Sequence, residues 1–221
     1  MDAYEEMPTS EVSIDARVYP RVNLGRNCKV EEFCIIGKTP RGKKPGDLET
    51  YIGDRALIRS GTKIYAGNII GFDFQTGDDV RIRENNTIGR RVSVGAGSEI
   101  AFRVLIGNDV RIHSDCHIFE ETVIENGVTL NPGVYVLNTK YPYTGNFPVI
   151  EPVRIKENAR IGARVTLGSD IIIGRWALIG AGSLVTKSIP DYALAYGHPA
   201  TVRGDIRELR DKRGEPIYRT N

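Results

Sequence analysis

The sequence predicts an all-β fold, a parallel β-helix built from six-residue repeats, and three observations carry that prediction. Every sixth residue from Ile52 to Val136 forms a series of fifteen positions, fourteen of them branched aliphatic, with Thr76 the exception. The residue four places after each aliphatic is usually small or β-branched, as at Ala56, Thr62, Val80, Ser98, Cys116 and Val134. The frame breaks at two Pro-containing stretches and resumes after each. Neither the 3.6-residue period of an α-helix nor the two-residue period of an ordinary strand calls for a strict six, so the period belongs to a repeat architecture.

In chain order, residues 1–11 read as an arm, and the frame opens with Val12, Val18, Leu24, Val30 and Ile36. Residues 37–51 then insert two Pro, three Gly and four basic residues and delay the frame by about ten positions, as a surface excursion would. The long central series follows. Residues 137–154, rich in Pro and aromatics, form a second insertion, after which Ile155, Ile161, Leu167, Ile173, Ile179 and Val185 complete twenty-six hexads. Three hexads close one coil of eighteen residues, giving eight to nine coils over residues 12–190. Coils stack about 4.8 Å apart, and aliphatic lies above aliphatic along the axis. Gly recurs at the second place of the hexad, as at Gly53, Gly71, Gly89 and Gly95, where the backbone turns a corner. Thr76 is expected to bond a neighbouring backbone group. Residues 191–221 form a cap and tail, with a short exposed helix expected over 204–214 from its alternating charge.

Composition narrows the function classes. Thirty basic against twenty-eight acidic side chains leave a formal charge of +2, which argues against general nucleic-acid or membrane-surface binding. No apolar run approaches the ~18 to 20 residues of a membrane span, and the first ten residues lack the apolar core of a signal sequence, so a cytoplasmic protein is expected. Cys28, Cys34 and Cys116 all fall in the small-residue column, which assigns them to the core rather than to disulfides or metal.

The eighteen-residue coil also sorts polar residues into columns. Glu120 and Asn138 are eighteen apart, each two places after a frame aliphatic, and the second insertion leaves from their corner. A carboxylate and an amide beside a projecting loop suit an amino sugar, with Glu120 holding or deprotonating the ammonium and Asn138 orienting the sugar or acyl oxygen. His113 and His117 occupy the second and sixth places of one hexad, and an imidazole of near-neutral pKa is the commonest general base. His113 is the candidate base; the alternative for both is a surface His bonded locally. His198 reads as a loop residue.

The hexad pattern, ending in IGAGSLVTKS (Ile179 to Ser188) and DYALAYGHPA (Asp191 to Ala200), resembles the hexapeptide-repeat acyltransferases over about residues 12–203. The segment from Arg111 to Pro142, with Glu120 after an aromatic and Asn138 on a loop with a following Pro, resembles the branch that N-acylates amino groups of nucleotide-linked sugars. The resemblance implies a left-handed β-helix, a homotrimer with sites between subunits, and acetyl-CoA as donor, with no metal. It implies that Ala163 and Ala181, eighteen apart and following Gly162 and Gly180, line the pantetheine arm. Lys187 and Arg203 are the cations expected at the CoA phosphates. At the family's usual Asn-Pro-Ala-Arg the chain reads His198, Pro199, Ala200, Thr201, and Arg203 is the substitute for the missing Arg. Three other readings stand beside this one: a sugar O-acetyltransferase, a structural β-helix without catalysis, and a zinc carbonic anhydrase on the same helix, which needs three His ligands from a chain whose third His lies in the terminal loop.

Overall fold

A computed structural model describes residues 10–141 and 149–218. The chain winds as a three-sided parallel solenoid, the left-handed β-helix expected, whose sides are sheets of eleven, nine and eight strands, here sheets A, B and C. Nearly all strands are two to four residues long and end on or next to the frame aliphatic, as at Arg111–Ile112 in A, His117–Ile118 in B and Val123–Ile124 in C. Neighbouring strands pair in parallel eighteen residues apart, for example Thr87 with Leu105 and Ile88 with Ile106. The offset lengthens to twenty-eight at Val22 and Thr50 and to thirty-one at Val123 and Arg154, where the insertions enter. Both insertions connect a B strand to a C strand and therefore leave from the same edge, the B–C corner.

The aliphatic column is the core. Ile58, Ile64, Ile82, Ile100, Ile118 and Ile155 are buried to 2% exposure or less, and a fully buried side chain of this size contributes about 1.5–3 kcal/mol. The three cysteines are buried with it, and burial pushes the thiols of Cys34 and Cys116 up, away from reactive thiolate. Thr76 accepts from the Arg59 backbone N–H at 2.9 Å, the backbone bond its position called for, and lies 3.2 Å from the Thr62 hydroxyl.

Three details differ from the sequence reading. Left-handed backbone falls at the fourth place of the hexad, at Asn27, Arg55, Asp73, Arg91 and Asp109 among others, and not at second-place Gly53, Gly71, Gly89 and Gly95. Those glycines are required by stacking: a Cβ on Gly71 would lie 2.7 Å from the Arg90 nitrogen of the next coil, and one on Gly95 2.3 Å from that of Ser114. Sheet A also continues past Pro190, because Ala193 and Ala195 are buried and Ala193–Gly197 pairs in parallel with Leu178–Ile179 before turning back antiparallel as Ala200–Asp205. The helix expected over 204–214 is a single 3-10 turn, Ile206–Glu208. Eleven residues are too few for an isolated helix, buried Ile206 anchors the turn, and Asp205 caps it by accepting from the Arg207 backbone N–H.

Two outcomes test this account. Gly95→Ala should lower stability by about 1–3 kcal/mol in chemical denaturation, since backbone must move to admit the methyl, whereas Gly204→Ala, with nothing within 4 Å, should be near neutral. The Arg207 guanidinium beside Asp205 lowers that carboxyl to about 2 from 3.8. A depressed folded-state pKa stabilises above the unfolded value and is lost as pH falls through the folded one. Melting temperature should therefore drop between about pH 4 and about pH 2, and Arg207→Ala should flatten that limb.

Candidate active site

The B–C corner carries the third-place residues of sheet B's hexads, and the structure puts Glu120, Asn138, Ser169 and Lys187 in one column on successive coils. Asn138 Nδ2 donates to Glu120 Oε2 at 2.7 Å. Asn138 is buried, Glu120 is half-buried, and Oε1 of Glu120 has no hydrogen-bond partner among the described residues. Glu151 closes the base of the second insertion. Its N–H donates to the Asn138 carbonyl at 2.8 Å, its carbonyl accepts from the Asp170 N–H at 2.9 Å, and its carboxylate accepts from the Ser169 hydroxyl at 3.2 Å. The insertion thus leaves and returns at one level, immediately beside the Glu120–Asn138 contact. The sequence reading passed over Glu151; its eighteen-residue offset from Ser169 was the signal available.

His113 lies on a different edge, the A–B corner, where its N–H donates to the Leu130 carbonyl at 2.8 Å and its own carbonyl accepts from Ser98 Oγ at 3.0 Å. His117 points outward from sheet B and stacks on Tyr135 with ring centroids 4.6 Å apart. His198 lies at the hairpin turn between Ala193–Gly197 and Ala200–Asp205. The three imidazoles therefore occupy three separate places, and no group of three His, Cys, Asp or Glu able to hold a metal exists among the described residues.

Gly162, Ala163, Gly180 and Ala181 meet on the A–B corner. A Cβ on Gly162 would lie 2.5 Å from the Ala181 nitrogen, and the Gly182 N–H donates to the Ala163 carbonyl at 2.8 Å. The terminal hairpin sits at the end of this column, with the Arg203 guanidinium 5.7 Å from the centre of the Tyr196 ring and Tyr196 Cβ against Gly180. Arg203 thus shares the Ala181 end of the molecule. Exposed Lys187 does not share the corner: the strand Leu184–Val185 separates it from the alanines within one chain.

With this geometry in place the comparisons can be read. Residues 152–187 match the family model described as bacterial transferase hexapeptide (six repeats). Among solved structures, a UDP-N-acetylglucosamine acyltransferase from Bacteroides fragilis is similar at 19% identity and a TM-score of 0.58, over 88% of this chain and 74% of that one. Another of that name from Campylobacter jejuni is similar at 18% identity and a TM-score of 0.56, over 92% and 79%. At these identities the likeness is one of fold. A curated relative, dTDP-3-amino-3,6-dideoxy-alpha-D-galactopyranose 3-N-acetyltransferase of Aneurinibacillus thermoaerophilus, is 56% identical over 32 residues, which are 14% of this chain and 17% of that protein's length. The class is therefore the left-handed parallel β-helix. Within it, residues 152–187 carry the repeat of the bacterial hexapeptide transferases, which the chain resembles.

The Glu120–Asn138 contact yields a direct test. Asn138→Asp would set two carboxylates against each other at a largely buried corner, and like charges in contact disfavour ionisation of both. The variant should melt lower than the parent at pH 7.5 and recover most of the difference at pH 5, as read by paired thermal denaturation curves.

Proposed function

We propose that the protein transfers acetyl from acetyl-CoA to an amino group of a nucleotide-linked amino sugar. The observation that carries this reading is the Glu120–Asn138 pair at the mouth of the second insertion. Asn138 fixes one carboxylate oxygen and leaves the other to receive a substrate ammonium. The name of the curated relative, an N-acetyltransferase of a dTDP-linked amino sugar, supports the same substrate class.

The chemistry asks little of the protein beyond placement. The substrate ammonium loses a proton to Glu120 or to His113, the neutral amine attacks the thioester carbonyl, and the tetrahedral intermediate forms. Its collapse breaks the C–S bond, the attacking nitrogen gives up its second proton to the departing CoA thiolate, and the first proton leaves the base to solvent. Positioning and hydrogen bonds to the developing oxyanion supply most of such a rate enhancement, and the second N–H of the Asn138 side-chain amide is the donor this reading assigns to it.

One chain holds the acceptor groups on the B–C corner and His113 with the Ala163 and Ala181 column on the A–B corner. Sheet B is the side between them. Three copies turned with sheet B toward a common axis bring the B–C corner of each against the A–B corner of the next, so that donor groove and acceptor pair meet between subunits. The same arrangement returns Lys187 of one copy to the alanine column of its neighbour.

Glu120→Gln should lower kcat at least a hundredfold in a free-thiol release assay with acetyl-CoA and a panel of nucleotide amino sugars. Activity of that variant within a fewfold of the parent would instead indicate a hydroxyl acceptor, which presents no ammonium to bind. Mixing inactive Glu120→Gln with Ala181→Trp, after dissociation and reassembly, should restore part of the activity if the site is shared between copies.

A further inference from the structure

Among the described residues the solenoid is covered at one end and open at the other. Past the last hexad, buried Ile189, Ala193 and Ala195 continue the core, and Ile206, buried as well, donates its N–H to the Tyr192 carbonyl at 2.8 Å. At the start of the chain the strands Glu11–Val12, Arg17–Val18 and Val22–Leu24 are the terminal strands of sheets A, B and C. Each leaves one row of backbone donors and acceptors with no strand beside it.

The first coil has the interior of an inner coil without its cover. Val12 and Val18 hold frame places that are 2% and 0% exposed one coil on, at Val30 and Ile36, yet they are 42% and 39% exposed. Val22 and Leu24 are half-buried, and Ile14 on the rim is 98% exposed. An array of repeats needs a polar outer face on its terminal unit to stay soluble. This coil presents valines and a leucine instead, so a further segment has to lie across the mouth.

The chain itself supplies a candidate in residues 1–9, which lie outside the described residues. They attach at the rim, because Ser10 Oγ donates to the Gly25 carbonyl at 2.6 Å and accepts from the Cys28 N–H at 3.0 Å, which pins the entry of the chain to the corner between sheets C and A. They do not extend the repeat, since the frame place six before Val12 is Glu6, and a carboxylate in the aliphatic column would be buried without a partner. Their reach is sufficient: one side of a coil is six residues, at most about 20 Å of chain, whereas nine extended residues span about 30 Å. Tethering also gives the segment an effective concentration of about millimolar, which a free partner would have to match.

Composition fits the same place. Residues 1–9 contain Met1, Tyr4 and Met7 with Asp2, Glu5 and Glu6, and no basic side chain. Of the three arginines in the first coil, Arg21 pairs with Glu49 at 3.1 Å and Arg26 with Asp54 at 3.0 Å. Arg17, on sheet B across the mouth from Ser10, lies 4.7 Å from the Tyr19 ring centre and has no carboxylate partner among the described residues. We propose that residues 1–9 fold across the open mouth as its cap, with Tyr4 and Met7 against Val12, Val18 and Leu24 and the acidic side chains toward Arg17.

Hydrogen exchange of the full chain, read by mass spectrometry, tests the cap against a second copy seated on the same mouth. Peptides from residues 11–24 should be protected equally at low and high protein concentration. The double variant Tyr4→Ser/Met7→Ser and removal of residues 1–9 should each speed their exchange tenfold or more, while peptides from residues 82–136 stay within twofold and so report an intact fold. Exchange of residues 11–24 unchanged within twofold in both variants would overturn the cap. Protection that grows with protein concentration, together with a heavier species in sedimentation that Val18→Lys abolishes, would overturn it in favour of a second copy.

Discussion

Everything in this molecule depends on the parallel stacking of each coil on the one eighteen residues before it. Backbone hydrogen bonds such as Gly89 N–H to the Ile106 carbonyl at 2.8 Å set the rise, and the buried isoleucine column fills the interior at every level. Neither suffices alone. An isolated coil has no hydrophobic interior and leaves every strand unpaired, so stability accumulates only as neighbours are added. The glycine corners show how tight the constraint is, since one methyl at Gly71 or Gly95 would enter the next coil's backbone.

The same constraint makes the surface a set of straight columns, and side chains in a column meet. Arg55 with Asp73 and Arg91 with Asp109 pair bidentately across one coil step, at 2.6 to 2.8 Å, on the corner after sheet C. The guanidinium partners hold both Asp carboxyls below their usual range. These pairs are exposed, and such pairs contribute little stability each. On the B–C corner the identical geometry sets Asn138 against Glu120. The difference is burial, since Asn138 is buried, and the second insertion leaves the solenoid beside it.

The candidate side chains are thus sorted by edge. The B–C corner carries the carboxylate, its amide partner and both insertions, while the A–B corner carries His113 and the alanines. A monomer keeps these two edges apart by the width of one sheet.

The sequence by itself determined the solenoid, because a strict period of six in β-branched aliphatics is compatible with no other packing. The same period was enough to align Glu120 with Asn138 and Ala163 with Ala181, since register in a stacked coil is arithmetic. Thr76 and the three cysteines were legible for the same reason. Other features depended on three-dimensional distances that periodicity does not encode. The steric role of Gly95 and the backbone bonds by which Glu151 anchors the second insertion came only from the tertiary structure. So did the turn at Ile206, where one buried side chain and a capping Asp outweighed the helical propensity of an exposed, charged segment too short to form a helix unaided.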